Sequence, residues 1–272
     1  MVNITEMLLQ GKSVNEVRKA IREVKKDGRK KYILVVDVES TTPNGKQKEM
    51  QQGKNLVYDI GVAITDKKGN IYAEVSFLIA EIWNDKTLMK SAYYAEKIPK
   101  YEEGLKNGLH TIQDFKVARD LIRYLFDSFK VSQVSAYNLK FDLGALNFTS
   151  YYLTGSFNTT FFTFTQRKNI KKVDIWTLAC KSLFIQKGFP DFCIENNFLS
   201  PAGNYRTNAE VAYAYLTRTP DFIEEHTGLA DVKIEIAIMA HSYRQNKKIG
   251  CCYEFQPWRL ANNYIKYNRK GW

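Results

Sequence analysis

Residues 31–40 read KYILVVDVES, and this stretch decides the fold of the 272-residue chain. Its β-branched run shows no alternation of apolar and polar side chains, which is typical of a strand buried on both faces. The run turns polar at Asp37 and Glu39, which lie on the same face of a strand because they are two residues apart. Sites in α/β sheets lie beyond the carboxyl ends of central strands. The stretch therefore predicts a central strand over 31–38 with a functional site at its end.

The flanking sequence predicts an α/β domain with a mixed five-stranded sheet flanked by helices. Residues 55–80 contain two apolar runs split by DKKGN, which is a strong hairpin signal. The elements predicted after this hairpin are a helix near 112–130, a strand over 131–137, a helix starting near Lys140, a strand over 171–176, a helical run to about Gly188 and a largely helical remainder to Gln245. Sequential strands followed by alternating strands and helices favour one mixed sheet.

The net charge of +11 is concentrated at the two ends of the chain. Residues 1–31 carry nine lysines and arginines against four acids, residues 244–272 carry seven against one, and the remainder is neutral. Residues 14–26 have helical apolar spacing and predict an amphipathic helix that docks on the body or on a nucleic acid. Basic ends on a neutral body indicate arms that hold a polyanion, or solvated ends that aid solubility.

The C-terminal stretch interleaves aromatic and basic residues. Its aromatic residues include Tyr253, Trp258, Tyr264, Tyr267 and Trp272. That mixture suits base stacking combined with phosphate contact, and it equally suits packing of the tail onto the body. We therefore divide the chain into a basic N-terminal helix or arm (1–30), a main domain (31–245) and a basic aromatic C-terminal extension (246–272).

Composition excludes several classes of protein. The hydrophobic content of 44% indicates a globular chain with a core, and no window approaches the roughly 18 apolar residues of a membrane helix. The N-terminus lacks a signal-peptide layout, so we expect a cytoplasmic protein. The four cysteines show no CxxC spacing, which predicts buried free thiols and neither a zinc site nor a disulfide framework. They are Cys180, Cys193, Cys251 and Cys252.

Two further stretches place polar residues at element ends. In SAYNLKFDLGAL (135–146), Asp142 falls in the first turn of a helix, and Asn138 either caps that turn or hydrogen-bonds a carboxylate. In EEHTGLADVKIEIAIMAH (224–241), we expect His226 just before a helix and Asp231 in its first turn. His110 and His241 have no comparable acidic neighbours in the sequence. Each stretch alone is explained by an ordinary structural role.

Taken together, the three motifs resemble the DEDD-type 3′→5′ exonucleases of the DnaQ-like group, which share an RNase H-like fold. The resemblance runs from about Tyr32 to His241. Its motifs are D-x-E at Asp37 and Glu39, N-x-x-F-D at Asn138, Phe141 and Asp142, and H-x4-D at His226 and Asp231. The histidine marks the DEDDh subclass. The segment SAYYAEKIPKYEEG (91–104) is similar to phage-encoded members, for which the location is the host cytoplasm.

The resemblance implies two Mg²⁺ or Mn²⁺ ions held by Asp37, Glu39, Asp142 and Asp231. Clustered carboxylates need positive charge to stay ionised, and oxygen ligands without cysteine select these cations over zinc. His226 suits the general base, because its reference pKa is about 6.5. The implied substrate is a nucleic acid with a 3′ end, expected to be single-stranded DNA with RNA left open. Hydrolysis would yield nucleoside 5′-monophosphates.

Residues next to the motifs are candidate substrate contacts, and they include departures from the family pattern. The candidates are Ser40, Thr41, Asn138 and Phe141. The glycine usual after the first motif is missing, and the link over 41–55 is long and carries three lysines, so it is either a solvated loop or a loop that contacts the strand. The stretch VDIWTLA (173–179) resembles the family's strand-to-helix passage, and we assign Asp174 no metal role.

Two other functions stay open at the level of the sequence. One is a nucleic-acid-binding module of a replication assembly in which the nuclease site is vestigial. The other is a proofreading subunit that acts with a polymerase. The intact acidic motifs argue against the first, and the second differs from a free exonuclease only in its partner.

Overall fold

The computed structural model describes residues 1–43, 52–90, 95–156, 162, 170–245 and 256–268. Within them, seven strands form one mixed sheet in the order β1-β4-β3-β2-β6-β7, and β5 also pairs with β4. The strands are β1 (Val2–Asn3), β2 (Ile33–Thr41), β3 (Leu56–Thr65), β4 (Ile71–Ile79), β5 (Thr111–Gln113), β6 (Gln133–Ala136) and β7 (Lys171–Asp174). Strand β2 is central, antiparallel to β3 and parallel to β6.

The predicted fold class is confirmed, and the described sheet has two strands more than predicted. The five predicted strands are β2, β3, β4, β6 and β7. Strands β1 and β5 are short and lie at the β4 edge, and segments of two and three residues cannot show a periodicity in the sequence. The helix predicted near 112–130 begins only at Phe115, because residues 111–113 form strand β5.

Helices cover both faces of the sheet. They are α1 (Ile4–Leu9), α2 (Val14–Glu23), α3 (Ala80–Trp83), α4 (Lys86–Met89), α5 (Ile98–Lys106), α6 (Phe115–Ser128), α7 (Leu139–Thr154), α8 (Ile175–Cys180), α9 (Gly188–Glu195), α10 (Ala209–Thr217), α11 (Gly228–Arg244) and α12 (Trp258–Asn268). A 3₁₀ turn spans Ala95–Lys97. The predicted helical remainder is interrupted, because residues 196–208 form turns and one isolated bridge between Leu199 and Tyr205.

Strand β2 separates two hydrophobic clusters, which explains its continuous apolar run. Leu34 and Val36 are fully buried in the cluster formed with α1, α2, α6 and α7. Ile33 and Val35 are buried in the opposite cluster, formed with α8 to α12. Successive side chains of a strand point to opposite faces, so this alternation buries both faces of β2, as its sequence predicts.

The N-terminal segment packs on the sheet. Strand β1 pairs in parallel with β4, and α2 begins with a capping box in which Ser13 and Glu16 satisfy each other's backbone N–H groups. Val17 and Ile21 of α2 are fully buried in the same cluster as Leu34. Of the two surfaces that the sequence allows for this helix, the structure describes the docking on the body. The division of the chain into three segments stays a prediction.

The thiols and the membrane prediction can be compared with the described residues. Cys180 and Cys193 are buried free thiols, as predicted, and burial raises the pKa of Cys193 to about 12. Cys251 and Cys252 lie outside the described residues. No helix within those residues is long and apolar enough to cross a membrane.

Candidate active site

The carboxyl end of β2 lies in a cavity of about 390 Å³, which we call the acidic cavity. The predicted site residues that line it are Asp37, Glu39, Ser40, Asn138, Phe141, His226 and Asp231. Strand β2 has a register irregularity between Glu39 and Ser40, next to the Glu39–Asp59 pair that joins it to β3. Residues from three separate motifs therefore meet at the predicted edge of the sheet.

A contact between two glycines places the start of α11 against β3. A Cβ atom on Gly61 of β3 would lie 2.0 Å from the carbonyl carbon of Gly228, so only glycine fits at this crossing. The Gly228 amide donates to Asp59 Oδ2 at 2.8 Å, and the Tyr101 hydroxyl donates to the same oxygen at 2.7 Å. This contact brings Asp231, in the first turn of α11, to the end of β2. His226 lies just before the helix, as expected, with a left-handed backbone (φ 52°).

Three of these side chains are close enough to share one cation. One ligand atom each of Glu39, His226 and Asp231 lies within 4.8 Å of the others. Glu39 and Asp231 are buried, with at most a tenth of their surface exposed. Hard carboxylate oxygens at this spacing suit Mg²⁺ or Mn²⁺.

Asp142 lies behind the wall of the acidic cavity, in the first turn of α7, and is almost fully buried. Asp174 holds the start of this helix, because its Oδ1 accepts from the amides of Asn138 (2.9 Å) and Leu139 (3.1 Å). Asp174 Oδ2 accepts from both the amide and the hydroxyl of Thr177 in α8. Asn138 has a left-handed backbone and makes no side-chain cap bond, so Asp174 performs the capping that the sequence offered to Asn138.

The carboxylates of the site suppress one another's ionisation. Burial, reinforced by Glu224 and Asp59, raises the pKa of Asp37 to about 8. Burial and the charge of Asp37 raise the pKa of Asp231 to about 9 and that of Asp142 well above its ordinary value. The same two causes raise the pKa of Glu39. Cations in the cavity would remove this penalty.

Buried carboxylate oxygens without hydrogen-bond donors support the same conclusion. These oxygens are Asp37 Oδ2, Asp59 Oδ1, Asp142 Oδ2, Asp231 Oδ1 and Glu235 Oε2. An unsatisfied buried polar atom is rare in folded proteins, and a bound ion is one explanation for it. Five such oxygens in one region, all from hard anionic ligands, fit divalent cations that prefer oxygen.

Glu235 and Glu224 belong to the site, and the sequence motifs do not include them. Glu235 lies one turn after Asp231 on α11, is almost fully buried, and accepts from the Tyr137 amide through Oε1 at 2.8 Å. Glu224 lines the cavity two residues before His226, and burial beside Glu210 raises its pKa to about 7. The i, i+4 spacing from Asp231 is the sequence signal that could have identified Glu235 as a residue of this site.

His226 combines a lowered pKa with nearby carboxylates. Its partial burial and the positive charge of Lys97 lower the pKa of the imidazole. Glu210, Glu224 and His226 each have one ligand atom within 4.8 Å of the others. His110 is buried near the carboxylate of Asp59, which is distant from it in the sequence. The Nδ1 atom of His110 lies 2.7 Å from the Ser76 hydroxyl.

The remaining candidate contacts are placed differently. Ser40 and Phe141 line the acidic cavity, together with Asn138. Thr41 is fully buried and donates to the Leu88 carbonyl at 2.6 Å, and it does not line the cavity. Much of the lysine-bearing link after β2, residues 44–51, lies outside the described residues.

The fold is RNase H-like, as expected, and comparison with solved structures supports this. The chain is similar to E. coli exonuclease I in complex with a 5cy-dT13 oligonucleotide (TM-score 0.50, 16% identity, 89% of this chain and 43% of that one). It is also similar to a zinc-bound E. coli exonuclease I complex with single-stranded DNA (TM-score 0.52, 14% identity, 80% and 42%). A product-bound exonuclease I aligns with a TM-score of 0.51 and 17% identity, over 89% and 47%.

The chain spans less than half the length of these solved chains. No protein-family model and no curated protein sequence matches it. At these identities the likeness shows the fold alone.

Proposed function

We propose that the chain is a metal-dependent 3′→5′ exonuclease of the histidine subclass that hydrolyses nucleic acid to nucleoside 5′-monophosphates. The observation that carries the proposal is the set of buried carboxylates with unpaired oxygens beside His226. Single-stranded DNA is the expected substrate, since two of the similar solved structures are exonuclease I bound to an oligonucleotide or to single-stranded DNA. The 3′→5′ direction rests on the family resemblance.

Asp37, Glu39, Asp142 and Asp231 would hold two Mg²⁺ or Mn²⁺ ions, and Glu235 lies close enough to support them. When bound, such ions ready a water for attack and stabilise the charge that develops at phosphorus. The burial of these carboxylates lowers the local dielectric constant, which strengthens each electrostatic interaction in the site.

His226 acts as the general base in this proposal. Partial burial and the charge of Lys97 lower the pKa of the imidazole and so favour its neutral form, in which a ring nitrogen can take the proton of the attacking water. Glu210 and Glu224 stabilise the imidazolium that results, because each has an oxygen within 4.8 Å of a ring nitrogen. His226 has a left-handed backbone, and its carbonyl lies 3.2 Å from the Tyr101 hydroxyl, whose shorter hydrogen bond goes to Asp59; these contacts position the backbone of His226.

The test is hydrolysis of oligonucleotides whose two ends are distinguishable. A 5′-labelled single-stranded DNA should shorten stepwise in Mg²⁺, release nucleoside 5′-monophosphates, and resist degradation when its 3′ end is blocked. The same assay with RNA and with duplex DNA ranks the substrates. Degradation from a free 5′ end, or hydrolysis in EDTA equal to that in Mg²⁺, would contradict the proposal. Tight binding without hydrolysis would favour the vestigial binding module, and copurification with a polymerase would favour the proofreading subunit.

A further inference from the structure

A second cavity, of about 540 Å³, adjoins the acidic cavity, and Tyr137 and Asn138 line both. We call it the aromatic cleft. Its other walls are mostly aromatic, amide and guanidinium side chains, among them Trp176, Tyr205, Arg206, Asn208 and Trp258. None of the described residues that line it is acidic. The proposed catalytic chemistry makes no use of this cleft, and none of the three motifs except Asn138 contributes to it.

The inner rings of the aromatic cleft are held rigidly by one residue. Thr207 accepts a hydrogen bond from Trp176 Nε1 through its hydroxyl at 2.9 Å, and its carbonyl accepts from the Tyr137 hydroxyl. The two ring planes differ by 20°, with centroids 6.2 Å apart. Because the polar edges of both rings are already satisfied, each ring offers the cleft apolar surface. Rings fixed in this way lose little conformational freedom when a flat ligand stacks on them.

Helix α12 supplies the outer aromatic wall. Its Asn262 accepts from the Tyr205 amide (2.8 Å) and donates to the Tyr205 carbonyl (3.2 Å), which ties the helix to the loop that carries Arg206. Ala261 and Ile265 of the same helix are buried in the core. Trp258, at the start of α12, is thus positioned by packed neighbours and remains partly exposed in the cleft.

The positively charged side chains beside the aromatic cleft indicate which kind of ligand it can bind. Arg206 is exposed on its wall, and the Arg259 guanidinium lies 5.2 Å from the centroid of the Trp258 ring. Positive groups beside aromatic surface and amides suit a ligand that has flat rings and an anionic backbone, as unpaired nucleotides do. The volume falls within the range of about 300–1,000 Å³ that is typical of small-ligand sites.

We propose that the aromatic cleft is a stacking subsite for an unpaired nucleotide of the substrate strand, on the 5′ side of the bond that the acidic cavity cleaves. The proposal rests on the proposed function for the placement of the 3′ end in the acidic cavity. Tyr137 and Asn138 line both cavities, so a strand with its 3′ end in the acidic cavity has the aromatic cleft directly beside it. A base that stacks in the cleft cannot be paired, so the subsite selects single strands near the 3′ end.

The test is a binding experiment that does not depend on turnover. Affinity for a fluorescent dT oligonucleotide is measured by anisotropy in an Asp142→Asn background, which prevents hydrolysis. Trp258→Ala should weaken binding by roughly 5- to 100-fold, which is the usual effect of removing one base-stacking aromatic. Trp258→Phe should recover most of the affinity, because it keeps an aromatic face. Arg206→Ala should lower the slope of log affinity against log salt by about one unit. Tyr267→Ala, an exposed aromatic on α12 outside the cleft, is the matched control.

Abasic substitutions locate the subsite on the strand. A series of oligonucleotides carries one abasic residue at successive positions from the 3′ end. The protein that retains Trp258 should lose affinity when the abasic residue stands at one or two of these positions. At those positions the Trp258→Ala variant should show no further loss, since the abasic residue and the substitution remove the same contact. That coupling supports the subsite whether or not the wild-type chain hydrolyses DNA. If Trp258→Ala folds normally and binds like Tyr267→Ala, the proposal is overturned, even for an active exonuclease.

Discussion

The acidic cavity and the aromatic cleft share a wall, yet their polar groups are treated in opposite ways. At the acidic cavity, Asp37, Asp142 and Asp231 each have a buried carboxylate oxygen that no donor satisfies. In the aromatic cleft, the polar edges of Tyr137 and Trp176 are bonded to Thr207. The polar groups that line the cleft thus find partners within the protein, whereas the charge of the cavity costs stability unless cations or protons offset it.

The largest effect is expected from Asp37→Asn. The substitution removes a charge from the site where cations contribute several kcal/mol, so Mg²⁺-dependent turnover should fall by roughly 10³-fold or more. The metal-free melting temperature should rise, because the repulsion with neighbouring carboxylates is relieved. Calorimetry and the oligonucleotide assay measure the two effects. Glu195→Gln removes an exposed carboxylate and should change neither quantity. An active Asp37→Asn protein would remove the acidic cavity from the mechanism.

His226→Ala should slow the chemical step without preventing the oligonucleotide from binding. General-base assistance typically contributes about 10²–10⁴-fold, and the loss should appear in single-turnover rates while oligonucleotide affinity changes little. The aromatic cleft keeps the strand bound in this variant. Near-normal single-turnover rates at pH 7 would make His226 a structural residue or a cation ligand and leave the base unassigned.

Glu235→Gln tests whether the cavity extends beyond the four motif carboxylates. The amide keeps an oxygen for the Tyr137 N–H and loses only the charge. Loss of a residue that supports metal ligands typically lowers metal affinity by about 10–100-fold, and we expect this for Mn²⁺ measured by isothermal titration. Unchanged Mn²⁺ affinity, with the melting temperature of the metal-free protein also unchanged, would place Glu235 outside the metal site.

The smallest effects on nucleic-acid binding are expected from the basic N-terminal helix. It differs from both cavities because it packs on the sheet as part of the fold and exposes a charged surface. Ile21→Ala should destabilise the fold by about 2–5 kcal/mol, since it deletes a fully buried side chain. Exposed Lys19→Gln and Lys25→Gln should stay within about 0.5 kcal/mol and weaken DNA binding less than Arg206→Ala does. Denaturant unfolding and salt-dependent anisotropy separate these effects. A larger loss of binding from the lysines than from Arg206 would instead make this helix an arm that holds nucleic acid.

Local patterns in the sequence predict the sheet and the motif residues. The apolar run of β2 and the β3–β4 hairpin are each contained in a short stretch, so periodicity and turn residues reveal them. The positions of Asp142 and Asp231 at helix starts are predictable, because an acidic residue in the first turn of a helix is a local signal in the sequence. What remained undecided was how the motifs meet, which depends on the contact of Gly61 with Gly228, 167 positions apart in the sequence.

Other features could not be predicted because they bring together residues that are far apart in the sequence. The cleft unites Tyr137, Trp176, Tyr205 and Trp258, and no local pattern links aromatic residues from four separate segments. The C-terminal aromatic residues leave base stacking and packing equally open in the sequence; in the structure Ile265 packs α12 onto the core, and Trp258 lines the cleft where we propose stacking. Glu235 was visible one turn after Asp231, but a single glutamate on an apolar helix also has ordinary explanations.

Melting temperatures in Mn²⁺ and in EDTA, at pH 6 and at pH 9, show whether the acidic cavity binds cations. Asp37 and Asp231 have folded-state pKa values of about 8 and about 9, above their unfolded values near 4. Their contribution to stability is therefore fully present below about pH 4 and is lost as the pH rises through 8 and 9. We expect Mn²⁺ to raise the melting temperature, more at pH 9 than at pH 6, because protons compete with the metal. The increase should be smaller in Asp37→Asn. A melting temperature that Mn²⁺ leaves unchanged at both pH values would contradict the claim that the acidic cavity is a cation site.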